Sequence, residues 1–273
     1  MSDFKHKGSV HNGFSTLVKA IEELSGTRID LNENKELIDI NKIRKEEARE
    51  ASAEISRMKL ENHKKFVQSI YDEHRIDSRY TFDTIRIDEL NTQAVATAKG
   101  FCATINYNFG KDTAPILLLI QGAAGTGKTV LSNCVANNFL NTLWKDVVLS
   151  SYAEMKKNKT PSSTDTSFDK ADKDAKWERF ISVDLLIMDG LCQNREALTA
   201  FDRTVIPDLL RARRARDLPL VITTPLSPSE MHMHLGDEIF ESIKEYSVLA
   251  TSLFGQSRRE PISFGGANFQ WAQ

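Results

Sequence analysis

The stretch Gly122-Ala123-Ala124-Gly125-Thr126-Gly127-Lys128-Thr129 constrains this chain more than any other. It fits G-x-x-x-x-G-K-[ST], the P-loop pattern. It follows the apolar run Ile116 to Ile120 and opens an apolar-periodic segment, Val130 to Leu140. Strand, loop and helix in that order are the context the motif needs. Glycines let backbone N–H groups turn inward around phosphate oxygens, and the new helix adds its positive N-terminal end. Lys128 can reach β- and γ-phosphates, and the Thr129 hydroxyl can ligate Mg²⁺. The candidate nucleotide contacts are therefore Gly122, Ala123, Ala124, Gly125, Thr126, Gly127, Lys128, Thr129 and Val130, with a nucleoside triphosphate and Mg²⁺ as the expected ligands.

The rest of the chain supplies the fold around that loop. Apolar β-type runs recur at 115–121, 146–150, 183–188, 219–223 and 247–254, with helical patterns between them at 128–141, 196–215 and 228–245. Alternating strands and helices imply a mainly parallel sheet covered on both faces. The polar stretch 156–173, rich in Ser, Thr, Asp and Lys, predicts a mobile surface loop. The region before 76 reads differently. No glycine occurs between Gly26 and Gly100, and no proline before Pro115. Leu37, Ile40, Ile43, Ala51, Ile55, Met58, Phe66 and Ile70 recur at helical spacing, predicting long helix from about 34 to 74. Phe14, Leu17, Val18, Ile21 and Leu24 form a shorter amphipathic segment before it. Residues 1–75 thus read as a small helical module, whose apolar stripes pack within the chain or on another protein. Residues 76–273 read as the main domain.

Composition excludes several classes. A formal net charge of −2 gives no overall positive field for nucleic acid. No apolar run is long enough to span a membrane, and the N-terminus lacks an apolar signal core. Cys102, Cys134 and Cys192 are widely spaced, which argues against zinc or disulfide frameworks and for a reducing cytoplasm.

A P-loop site also needs an acid at the end of a neighbouring strand to hold the Mg²⁺ shell. Val183-Asp184-Leu185-Leu186-Ile187-Met188-Asp189 has the Walker B pattern, making Asp189 the second metal-shell candidate after Thr129. The next residue is Gly190. In many P-loop ATPases that position is Glu, which activates the attacking water, and general-base assistance contributes ~10²–10⁴ in rate. Neither Glu178 nor Glu196 obviously replaces it.

From 76 to about 260 the order of motifs resembles the AAA+ helicase loaders of the DnaC/DnaI type. Ile76 to Ile85 looks like the segment leading into that family's core, and 183–189 like its Walker B strand. Leu218 to Thr224 looks like the sensor-1 strand, and Leu235 to Ile243 like the helix that normally carries an arginine finger. Gln256-Ser257-Arg258-Arg259 resembles the closing segment with its sensor-2-like arginine, which adds Arg259 to the candidate nucleotide contacts. The resemblance implies an ATP-binding AAA+ core without a C-terminal lid. It also implies that residues 1–75 grip a DnaB-type hexameric helicase, that single-stranded DNA is contacted, and that copies assemble on the helicase. Three positions depart from the pattern: Gly190, Pro225 at the usual sensor-1 asparagine, and Ser242 at the usual arginine-finger position, with Glu238 nearby in place of a basic residue. The parts that cradle phosphate are kept, while those that assist hydrolysis are largely missing. The expectation is a loader that binds ATP and hydrolyses it weakly or not at all. An IstB-type transposition helper ATPase, or a non-hydrolysing helicase adaptor or inhibitor, are the rival readings.

Four further features have structural and functional readings. Arg211, Arg213, Arg214 and Arg216, with Arg203 on the same helix, either complement a helix C-terminus or bind phosphates. His232 and His234, two apart, fall on different helix faces and make poor joint metal ligands. Tyr80 and Phe82 pack the start of the domain or stack on a base. The C-terminal tail with Trp271 docks on a partner or frays.

Overall fold

The computed structural model describes residues 9–26, 40–74, 76–108, 114–193, 198–259, 263–264 and 267–268. The chain divides into two compact units, 1–58 and 59–273.

In the first unit, α1 spans Ser9–Ser25 and stops at Gly26. The helix α2, Ile40–His74, begins here and runs on into the second unit. Leu17, Ile21 and Leu24 of α1, and Ile43, Ile55 and Met58 of α2, are exposed. The last turns of α2 belong with the second unit because Val67 and Ile70 are buried in its core. The second compact unit begins at Lys59, inside α2.

The second unit is built on a five-stranded parallel sheet. Its strands are β1 Ile116–Gly122, β2 Val147–Ser151, β3 Leu185–Asp189, β4 Leu220–Thr224 and β5 Ser247–Leu253, in the order β2-β3-β4-β1-β5. Successive side chains point to opposite faces, so alternate residues of β1 join different cores. Leu118 and Ile120 pack with the end of α2, with α3 (Thr92–Asn108) and with α4 (Lys128–Asn138), through residues such as Phe101, Leu131 and Val135. Leu117 and Leu119 face the other layer. That layer comprises α5 Tyr152–Lys159, α6 Ser167–Ser182, α7 Ala200–Arg214, α8 Pro228–Leu235 and α9 Asp237–Lys244. Covering both faces is what allows strands as uniformly apolar as Ile116 to Ile120.

The expected mobile loop at 156–173 is corrected. α5 runs to Lys159 and α6 starts at Ser167, leaving only 160–166 as a connection. Local caps hold these polar helices. Ser151 accepts from the Glu154 N–H, and Thr166 with Asp169 forms a capping box. Lys173 pairs with Asp165 at 2.7 Å across the connection, while Met155 and Trp177 anchor the helices in the core. The expected helix at 128–141 ends in a π-helical turn, Phe139–Leu143, and the one at 228–245 breaks at Gly236. Ser263–Phe264 and Ala267–Asn268 pair as a short antiparallel ladder, and Trp271 lies outside the described residues. No helix among the described residues is long and apolar enough to cross a membrane.

Candidate nucleotide site

At the carboxyl end of the sheet, β1 runs into the 122–129 loop and α4 starts from it. The loop passes under the segment that follows β5. The Arg258 N–H donates to the Gly125 carbonyl at 2.9 Å, and Ser257 lies so close to Gly125 that a Cβ there has no room. Gly125 also has φ +82°, so glycine is required twice over at this position. A cavity of about 1100 Å³ opens beside the loop. Asp88 and Asn91, the loop residues from Ala124 to Thr129, Asp189, Thr223, Gln256, Arg258 and Arg259 contribute to its walls.

The structure brings the candidate residues together. The Thr129 hydroxyl donates to Asp189 Oδ2 at 2.9 Å, although the two are 60 residues apart. Two oxygen donors in contact at the mouth of a phosphate loop fit Mg²⁺, which takes one or two protein oxygens and leaves its other positions to water and phosphate. Among the described residues there is no cluster of three or more His, Cys, Asp or Glu suited to a metal. Lys128 Nζ donates to the carbonyls of Gly122 and Ala123 at 2.7 and 2.9 Å. Burial holds its pKa below the usual lysine value, against the attraction of Asp189, and Arg259 nearby lowers it further. An anion placed here would relieve that strain on Lys128. Ala124, Gly125, Thr126, Gly127 and Val130 line the same cavity, as does Arg259, whereas Gly122 and Ala123 are not among its lining residues. The neighbouring Arg258 is occupied instead, with both terminal nitrogens on the Asp88 carboxylate at 2.8 Å.

Thr223 bridges Asp189 and the turn after β3. Its hydroxyl donates to Asp189 Oδ1 at 2.6 Å and accepts from the Gly190 N–H at 2.8 Å, while Pro225 merely lines the cavity. Both Asp189 oxygens are thus held by hydroxyls, from α4 and from β4. The neighbouring Thr224 hydroxyl accepts from the Leu226 N–H. Gln193 also lines the cavity and was missed in the sequence. A lone amide four residues beyond a strand end carries no motif, and only the turn geometry reveals it.

The other singled-out side chains have these partners. Arg213 is fully buried and donates to the carbonyls of Phe180, Val183 and Pro219 at 2.8, 3.0 and 2.6 Å. Burial lowers its pKa to about 10. Arg211 pairs with Glu238, Arg214 with Asp217, and Arg216 with Glu178. His232 pairs with Asp237 and packs edge-on against Phe240. Tyr80 lines the cavity, whereas Phe82 packs on the core. All three cysteines are free and buried, with thiols pushed up to about 12 for Cys102 and Cys134 and about 11 for Cys192.

No protein-family model matches this chain, and no curated protein sequence does. Solved structures do. A DnaI structure superposes with a TM-score of 0.53 at 22% identity, over 67% of this chain and 92% of that one. The DnaC helicase loader gives 0.50 at 16%, over 63% and 96%. The fold is the AAA+ fold of DnaI and DnaC. The replication initiator DnaA bound to AMPPCP and single-stranded DNA gives 0.52 at 16%, over 67% of this chain and 53% of that one. At these identities the likeness is one of AAA+ architecture.

Ser242, the residue the sequence matches to the arginine-finger position, is buried, with its hydroxyl donating to the Glu238 carbonyl at 2.9 Å. A side chain there points into the core because it shares a helix face with Ile239 and Ile243. The face of α9 that does reach solvent carries Asp237, Glu238, Glu241 and Lys244.

Proposed function

We propose that this chain is an ATP-binding helicase loader whose nucleotide acts mainly as an ordering ligand. The observation that carries the reading is the meeting of Thr129 with Asp189 beside Lys128 at the mouth of the cavity. Thr129 and Asp189 would hold Mg²⁺. Lys128 would leave the Gly122 and Ala123 carbonyls for the β- and γ-phosphates, with Arg259 adding a second positive charge. ATP would supply a γ-phosphate that ties P-loop, β3 and the 256–259 segment together. Weak hydrolysis follows from the Gly190 position without a carboxylate and from an α9 surface that is largely acidic. Arginine fingers contribute ~10³–10⁵ to phosphoryl transfer, and α9 offers no arginine.

The loader role is supported by the likeness to DnaI and the DnaC helicase loader. It is also supported by the exposed apolar residues of α1 and of the first turns of α2, which suit a partner surface. In this reading the partner is a DnaB-type hexameric helicase, and the loaded strand is single-stranded DNA. The test is capture of that helicase by the full chain, with and without ATP, against Leu17→Asp combined with Ile21→Asp. Loss of capture with nucleotide affinity intact is expected. Capture undiminished by both substitutions would refute the assignment of the helical module.

A further inference from the structure

The turn after β3 is built around an absent side chain. Gly190 has φ +76°, and a Cβ placed on it would lie 2.7 Å from Gln193 Oε1. Any side chain at 190 would therefore start in the space that the Gln193 amide fills. The turn is pinned rather than loose. Gln193 N–H donates to the Gly190 carbonyl at 3.2 Å. The Gly190 N–H bonds to the Thr223 hydroxyl, and the Leu191 N–H to the Thr223 carbonyl at 2.9 Å. Leu191 and Cys192 are buried beneath it. Gln193 lines the same cavity as Asp189, Lys128 and Thr129.

We propose that Gln193 orients the water that attacks the γ-phosphate, in place of a carboxylate at residue 190. This rests on the nucleotide reading of the same site. An amide accepts one hydrogen bond and donates another, so it can fix a water in line, but it cannot take up a proton. The water oxygen forms a bond to the γ-phosphorus. The bond from that phosphorus to the β,γ-bridging oxygen breaks, and its electron pair leaves on ADP. The proton of the water passes to a phosphate oxygen, so that ADP, inorganic phosphate and one released proton balance the ATP and water consumed. A glutamine in this role is known from P-loop GTPases. The device orients without activating, which gives slow turnover instead of none.

The test compares the full-length wild type with Gln193→Ala, Gln193→Asn, Gln193→Glu and Lys128→Ala. Three quantities are read: affinity for AMPPCP, trapping of ADP with aluminium fluoride, and single-turnover hydrolysis. For Gln193→Ala, fluoride trapping and hydrolysis should fall about 10- to 100-fold, with AMPPCP affinity unchanged. Gln193→Asn, whose amide is too short, should behave alike and carries the test if the alanine variant melts early. Gln193→Glu should raise turnover above wild type and bring in the pH dependence of a carboxylate. Equal trapping and turnover in wild type and both shortened variants would overturn the proposal. So would a wild type that binds AMPPCP yet neither traps fluoride nor turns over. Equal AMPPCP binding by Lys128→Ala would instead overturn the nucleotide site itself.

Discussion

Arg258 holds Asp88 through both terminal guanidinium nitrogens, each at 2.8 Å, across 170 residues of chain. The pair joins the strip before α3 to the strip after β5, and the backbone N–H of Arg258 then reaches the P-loop at Gly125. Arg258→Ala should therefore loosen residues 254–259 and weaken nucleotide binding several-fold, with a smaller loss at high salt, where the wild-type pair is itself screened. Hydrogen exchange at 255–259 and at the loop should quicken in the variant. Unchanged exchange would show that Ser257 and the backbone bond suffice.

Lys128→Ala should lower nucleotide affinity at least ~100-fold, about 2.7 kcal/mol. The melting temperature of the nucleotide-free protein should hold or rise. The charge is half-buried, and its burial disfavours the protonated form, so removing it relieves a cost. Titration calorimetry and a thermal melt check both halves.

Thr129→Ala and Asp189→Asn should each remove the Mg²⁺ dependence of binding. In the wild type, chelating Mg²⁺ should weaken ATP affinity markedly. In the variants, affinity with and without chelator should converge, because one of the two oxygens in contact at 2.9 Å is gone or neutralised. Equal Mg²⁺ dependence in all three proteins would remove the metal assignment.

Acid sensitivity should centre on Asp202. Burial tends to raise its pKa, but bonds from Lys156, Thr199 and Tyr152 outweigh that and lower it to about 2, below the ordinary 3.8. A depressed carboxylate contributes stability that is fully present above its unfolded pKa and lost as pH falls through its folded one. The loss should run from about pH 4 to pH 2 and amount to ~2 kcal/mol. Asp202→Asn should flatten that part of the stability–pH curve.

Arg213→Lys should destabilise by roughly 2–3 kcal/mol, because one ammonium cannot reach the carbonyls that the planar fork satisfies. Chemical denaturation measures the change, and DNA binding should be unaffected, since the group is fully buried.

The legible parts of this fold were those carried by unbroken apolar runs. Ile116 to Ile120 and Leu185 to Met188 are buried on both faces, so burial and sequence agree without need of context. The helices α5 and α6 were hidden because Met155, Trp177 and Phe180 are their only buried anchors, and Ser, Thr and Asp serve as caps rather than loop formers. Within the site, Lys128, Thr129 and Asp189 were readable because each stands at a fixed offset from a strand end. The Asp88–Arg258 pair, the Thr223 bridge and the Gln193 turn were not, since none has a local pattern. The burial of Ser242 was not legible either, because motif order places a residue along a helix without fixing which side of the helix it lies on.

The strand order has a consequence for how this protein comes to be made. β1 leaves the ribosome first of the five strands, yet it pairs with β4 and β5, the last two. Until residue 253 has emerged, its Ile-Leu-Leu-Leu-Ile run has no native strand on at least one side. Such an edge is sticky, and the pairing it awaits is long-range and slow. The nascent chain is thus exposed to aggregation throughout the synthesis of β2 to β4. Slower elongation should lengthen that interval, and lower soluble yield should accompany it.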